Sequence, residues 1–101
     1  MPRPQLPDHL LVARHFDAQG QLIALPVKRE RRLLVLRHVA AAIPAGHELD
    51  ESSVNALLRR FGTDVAALRR SLVDEGFVER PAPGRYRRPE VGEDAADPDP
   101  A

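Results

Sequence analysis

Apolar residues recur at helical spacing in two neighbouring stretches of the second half of the chain. Val54, Leu57, Leu58 and Phe61 fall at i, i+3, i+4 and i+7, and Val65, Leu68 and Leu72 make a second stripe after Gly62. Asp50 stands where its carboxylate caps the first helix, and Glu51 suits the positive end of the dipole. Gly62 is expected to supply a left-handed C′ residue, with Thr63 capping the next helix at once. That helix is predicted over Asp64–Glu75. Gly76 ends it, and Phe77 stands where a Schellman-type end places an apolar contact. Beyond it, Phe77–Arg80 and Arg85–Arg88 are predicted to pair across Pro81-Ala82-Pro83-Gly84. The prolines lack donors, so the loop tip is expected to project without strand pairing. Helix, Gly-containing turn, helix and hairpin together predict a helix-turn-helix with a wing.

The first half carries a longer helical stretch. Lys28–Ile43 reads as the longest helix, with Leu33, Leu36, Val39, Ala40 and Ile43 on one face and Pro44 as its stop. Leu34 and Ala41 fall on the opposite face, to pack under the N-terminal hairpin or against a second copy. His47-Glu48-Leu49 is a short strand candidate. Ahead of these, Arg14–Phe16 and Gln21–Leu25 form a predicted hairpin around Asp17-Ala18-Gln19-Gly20. His9–Ala13 is a short apolar patch that reads equally as helix or strand. The fold class is α+β, a small winged helix-turn-helix of three main helices and a β-hairpin wing, with an N-terminal hairpin.

Composition sets the limits. Six of the ten prolines lie near the two ends, which leaves residues 9–89 as one domain between a disordered segment, 1–8, and an acidic disordered tail, 90–101. Such a core is small, and dimerisation or docking on a partner would support it. There is no cysteine, so neither disulfides nor a Cys-based zinc site is possible. No apolar run is long enough for a signal peptide or a membrane span, so a cytoplasmic protein that avoids membranes is expected. The net charge of zero hides an asymmetry. Residues 1–89 carry fifteen bases against ten acids, a balance of +5, and residues 90–101 carry five acids and no base. Fourteen of the fifteen bases are arginine, so arginine over lysine says nothing specific about phosphate.

With these elements laid out, the chain resembles the family known as domain of unknown function 2087. The carrying residues are Phe16-Asp17, Gly20 and Leu25-Pro26 before a basic helix start, then Glu51, Val54-Asn55 and Leu58. Leu68-Arg69-Arg70, Leu72-Val73-Asp74, Gly76-Phe77, Arg80 and Tyr86 complete it, and the resemblance covers about Phe16–Arg88. It implies a winged-helix module of the kind attached to bacterial transcription regulators, here expected to stand alone. It carries over no catalytic or ligand residues.

The candidate site is therefore a nucleic-acid surface. On the second helix Arg70, Asp74, Ala67 and Ser71 project outward, whereas Arg69 falls within the apolar arc. Arg69 is expected to lay its stem on the core and pair with a carboxylate; Arg70 is the groove reader, against a plain solvated charge. One outward base is thin for a DNA reader. Arg59 and Arg60 at the end of the preceding helix, and Arg85 and Arg87 on one face of the wing, are expected to add phosphate contacts. Tyr86 would point to the core. Arg59, Arg60, Arg70, Ser71, Arg85 and Arg87 form the nucleic-acid-binding set; if the five arginines scatter instead of sharing one exposed face, the DNA reading loses its main support. Lys28, Arg29, Arg31 and Arg32 read as a solvated first turn or as phosphate contacts. Asn55 reads as a local or interhelical hydrogen-bond partner.

The four histidines are scattered, Asp74-Glu75 diverge on their helix, and no phosphate loop or nucleophile-base pair is present. No enzyme, cofactor or metal site is expected. The functional expectation is a DNA-binding protein with a role in transcription regulation, its partners double-stranded DNA and a homodimer mate or partner regulator. The alternative is a non-enzymatic protein-interaction or sensing module of the same fold.

Overall fold

The apolar stripes meet in one core. Leu36, Val39, Ile43, Val54, Leu58 and Leu72 are almost wholly buried there, with Phe61, Leu68, Val78 and Tyr86 around them. The computed structural model describes residues 8–62 and 64–90. In chain order the elements are α1 (Asp8–Ala13), α2 (Arg29–Ala40), β1 (Glu48–Asp50), α3 (Glu51–Leu58) and a 3-10 turn (Arg59–Phe61). They continue with α4 (Val65–Asp74), β2 (Glu79–Ala82) and β3 (Arg85–Arg87). The chain is a small α+β protein with four α-helices and one antiparallel sheet, of strand order β1-β3-β2, among the described residues. No helix among them is long and apolar enough to cross a membrane. Of the predicted disordered ends, 1–8 and 90–101, residues 1–7 and 91–101 lie outside the described residues, as does Thr63, whereas Asp8 opens α1.

Local chemistry sets the helix ends. The Asp50 carboxylate accepts the Ser53 backbone N–H at 2.8 Å and caps α3. The cap of α4 is Asp64, one residue later than expected; its carboxylate accepts from the Ala67 N–H at 3.1 Å. Gly62 does not take the left-handed helical conformation. Its φ of 153° and ψ of −174° lie in a region essentially restricted to glycine, which turns the chain sharply between helices. At the far end of α4, the Phe77 N–H donates to the Leu72 carbonyl and the Gly76 N–H to the Val73 carbonyl. With φ of 83° at Gly76, this is the Schellman end expected there.

Three boundaries differ from expectation. First, α2 stops at Ala40, and Ala42 and Ile43 continue in tighter i−3 bonding that still carries Ile43 into the core. Its buried face is rotated so that Val35 is fully buried and Leu33 only half-buried, because α1 packs on one side and α4 on the other. Second, the N-terminal hairpin shrinks to one bridge, Phe16 with Leu22. The Asp17 carboxylate accepts the Gln19 and Gln21 N–H groups; bonds from the Asp17 N–H to the Gln21 carbonyl and from the Ile23 N–H to the His15 carbonyl flank the bridge, and the Leu22 N–H donates outward to the Phe61 carbonyl. The patch left open between helix and strand is helical, as α1. Third, the loop of the second hairpin does pair. Ala82 stands opposite Arg85, leaving Pro83-Gly84 as a two-residue turn with φ of 73° at Gly84. Pro81 is accommodated where the register shifts between Glu79 and Ala82. The third strand, β1, pairs with β3 and makes it the centre of the sheet.

Candidate nucleic-acid interface

Two adjacent arginines on α4 have different surroundings. Arg69 is half-buried. Its Nη1 donates to Asn55 Oδ1 on α3, its Nη2 lies 3.9 Å from Glu51 Oε1, and its guanidinium stands 5.7 Å from the Tyr86 ring centroid. Tyr86 Oη donates to the same Glu51 oxygen at 3.0 Å. Arg69 therefore fastens α4 to α3 and β3, and Asn55 serves as its interhelical partner. Arg70, one residue on, is exposed, and its guanidinium meets no acid among the described residues. Around it the outward face of α4 is Ala66, Ala67 and Asp74; Ser71 is half-buried at its edge.

Arg59 and Arg60 sit in the 3-10 turn that extends α3, both exposed. Arg60 stacks over the ring of Phe61, 5.2 Å from its centroid, and neither arginine has an acidic partner among the described residues. The hairpin arginines are engaged instead. Arg85 Nε donates to Glu48 Oε1 at 2.8 Å, and Arg87 Nη1 to Glu79 Oε1 at 3.2 Å. Glu79 and Arg87 are direct cross-strand partners, the arrangement in which opposite charges stabilise a sheet. Tyr86 between them is buried, as the two-residue period requires.

The five arginines do not form one cluster. The Glu51 N–H donates to the Gly84 carbonyl, which pins the hairpin turn to the N-terminus of α3. Arg59 and Arg60 lie at the other end of that helix, about 12 Å away at 1.5 Å rise per residue. Arg70 lies on the outer side of α4. The structure thus separates Arg85 and Arg87 on the sheet, Arg59 and Arg60 at the end of α3, and Arg70 on the exposed side of α4, so the single basic face that would chiefly support DNA binding is not formed.

The basic start of α2 has a structural purpose that the sequence did not reveal. Arg29 and Arg32, three residues apart on the same side, converge on Glu75 at 3.0 and 3.3 Å. Glu75 is the C-cap of α4, so both cations also face the negative end of that helix dipole. Arg88 fastens the turn after α2, donating from Nε to the Ile43 carbonyl at 2.6 Å. Helical spacing of arginines was the visible signal; the acid they meet is 43 and 46 residues away. Among the described residues, no group of three histidines or acids is placed to hold a metal ion.

Comparison with curated proteins and with solved structures found no match. A family model, described as uncharacterized protein conserved in bacteria (DUF2087), matches residues 21–88. The match begins after Phe16, Asp17 and Gly20, so these three lie outside it. It spans α2 through β3 and the turns between them, and on that match the chain belongs to the DUF2087 family.

Proposed function

We propose that the chain is a winged-helix DNA-binding module with a role in transcription regulation. The observation that carries this reading is the exposed face of α4. It presents Arg70, which has no acidic partner among the described residues, beside Ala66, Ala67 and Asp74, while Arg59 and Arg60 at the end of α3 form a separate basic group, likewise without an acid among the described residues. Small side chains let a helix approach a groove closely, and a guanidinium reads guanine bidentately. In this reading α3 and α4 are the helix-turn-helix, α4 is the recognition helix, and β2–β3 is the wing. Arg59 and Arg60 hold phosphates. Arg85 and Arg87 can join them by exchanging carboxylate partners for phosphate, a cheap exchange because surface pairs are worth little. The Asp64 cap argues against phosphate at the N-terminus of α4, where its carboxylate already uses a free N–H. DNA is therefore expected to meet the side chains of α4 rather than its end.

Fluorescence anisotropy with labelled duplex tests this. The Arg59→Ala/Arg60→Ala double variant should weaken all sequences alike and lower the salt slope by about two. Arg70→Ala should weaken a selected site more than random duplex, by roughly tenfold in discrimination. A wild-type affinity for duplex DNA no better than that of an acidic control protein at low salt removes the proposal.

A second reading has its own observation. Leu10, Ile23 and Val27 are exposed large apolar side chains, Val27 90% so. In this reading the same fold docks on itself or on a regulator through the segment before α2. A mass by sedimentation that stays monomeric across the micromolar range removes self-association.

A further inference from the structure

The face of α2 turned away from the core is not bare. It forms one wall of a cavity of about 540 Å³, and α1 with the following turn forms the other. Val12, Ala13 and Phe16 face Leu34 and Ala41 across it, with Arg37 and His38 at the rim. The volume lies within the range of small-molecule sites, which are mostly apolar with few polar groups. Phe16 and His38 meet edge to face with ring centroids 5.0 Å apart, and Phe16 in turn meets Phe61 at 6.1 Å. The aromatic side of the wall is therefore anchored to the core.

Charge at the rim selects the occupant. The Arg37 guanidinium is exposed and has no acidic partner among the described residues. Asp17 also borders the cavity, but its Oδ1 already accepts two backbone N–H groups of its own turn. The acid is held by the turn, and the base is left open. We infer that this cavity between α1 and α2 binds a small carboxylic acid with an aromatic or aliphatic body. The body lies between Phe16 and Leu34, and the carboxylate takes the two-pronged hydrogen bonds that a guanidinium offers. The inference is independent of DNA binding. Val12, Ala13, Phe16 and Asp17 precede the family match at residue 21, so half of the cavity is built by a segment that the match does not include.

The test uses the full chain labelled with 15N and three probes: 4-phenylbutyrate, octanoate and the neutral 4-phenylbutyramide. Either acid should shift amide signals confined to residues 12–17 and 34–41. Arg37→Gln should weaken the acids by about tenfold, the loss of a charge-assisted pair, and leave the amide unchanged. Leu34→Trp fills the cavity and should abolish binding of all three; Ala41→Phe does the same if the first variant does not fold. Three results overturn the inference: no shifts with either acid at millimolar concentration, shifts spread over other elements, or an Arg37→Gln variant that binds the acids as well as wild type.

Discussion

Replacing Arg69 and Arg70 one at a time separates holding the fold from reading a ligand. Arg69→Ala removes a half-buried hydrogen bond to Asn55 and a cation–π contact with Tyr86. A hydrogen bond to a charged group contributes about 1.5–3 kcal/mol, here at the low end because Arg69 is partly solvated. The ring contact adds about 0.5–1 kcal/mol. The Glu51 pair adds almost nothing, since at 3.9 Å with Glu51 45% exposed it is screened by water. The expected loss is about 2–3 kcal/mol, or a fall in Tm of roughly 10–20 °C for a domain of this size. Arg70→Ala, with no acidic partner among the described residues to lose, should stay within about 0.5 kcal/mol of wild type. Urea denaturation with an unchanged m value measures both. Arg69→Met keeps the packed stem and should recover the part of the loss that is apolar contact. Equal stability of the Arg69→Ala and Arg70→Ala variants would refute the assignment of these two neighbours to different tasks.

Other perturbations test the remaining supports. Leu68→Ala truncates a buried leucine of α4 and should cost about 2–5 kcal/mol in the same melts. Gly76→Ala forces a side chain into φ of 83° and should cost about 1–2 kcal/mol, although the space around it is open. Glu75→Gln releases Arg29 and Arg32 together; with Arg29 69% exposed, the loss should be only about 1 kcal/mol and should shrink in high salt. Asp50 gives a pH signature. The Ser53 backbone N–H, then its side chain, hold the Asp50 carboxyl below its usual value of 3.8. A carboxyl depressed on folding stabilises fully above that value and loses its contribution as pH falls through the depressed one. Asp50→Ala should therefore lower Tm near neutral pH and shrink the difference from wild type below about pH 4, read by circular dichroism.

What the sequence determined by itself was local. Asp50 as a cap, the Schellman end at Gly76-Phe77 and the alternation that buries Tyr86 each depend on residues within about six positions of one another, where chain geometry leaves few choices. The stripe of Val54, Leu58 and Phe61 was legible for the same reason. Arg69 could be assigned to structure and Arg70 to the surface from helical phase alone. The tertiary structure decided which charges are free. Arg29 and Arg32 look solvated in sequence, yet they meet Glu75 because α2 and α4 cross there. Arg85 and Arg87 look free on a hairpin, yet β1 and β2 bring Glu48 and Glu79 beside them. Leu34 and Ala41 look like an unpaired face, yet α1 folds over them and leaves a cavity between. Glu79 lies only eight residues from Arg87, on the same hairpin; the Glu75 and Glu48 contacts are set by which elements pack together, and helical or strand period carries no record of a contact across about forty residues.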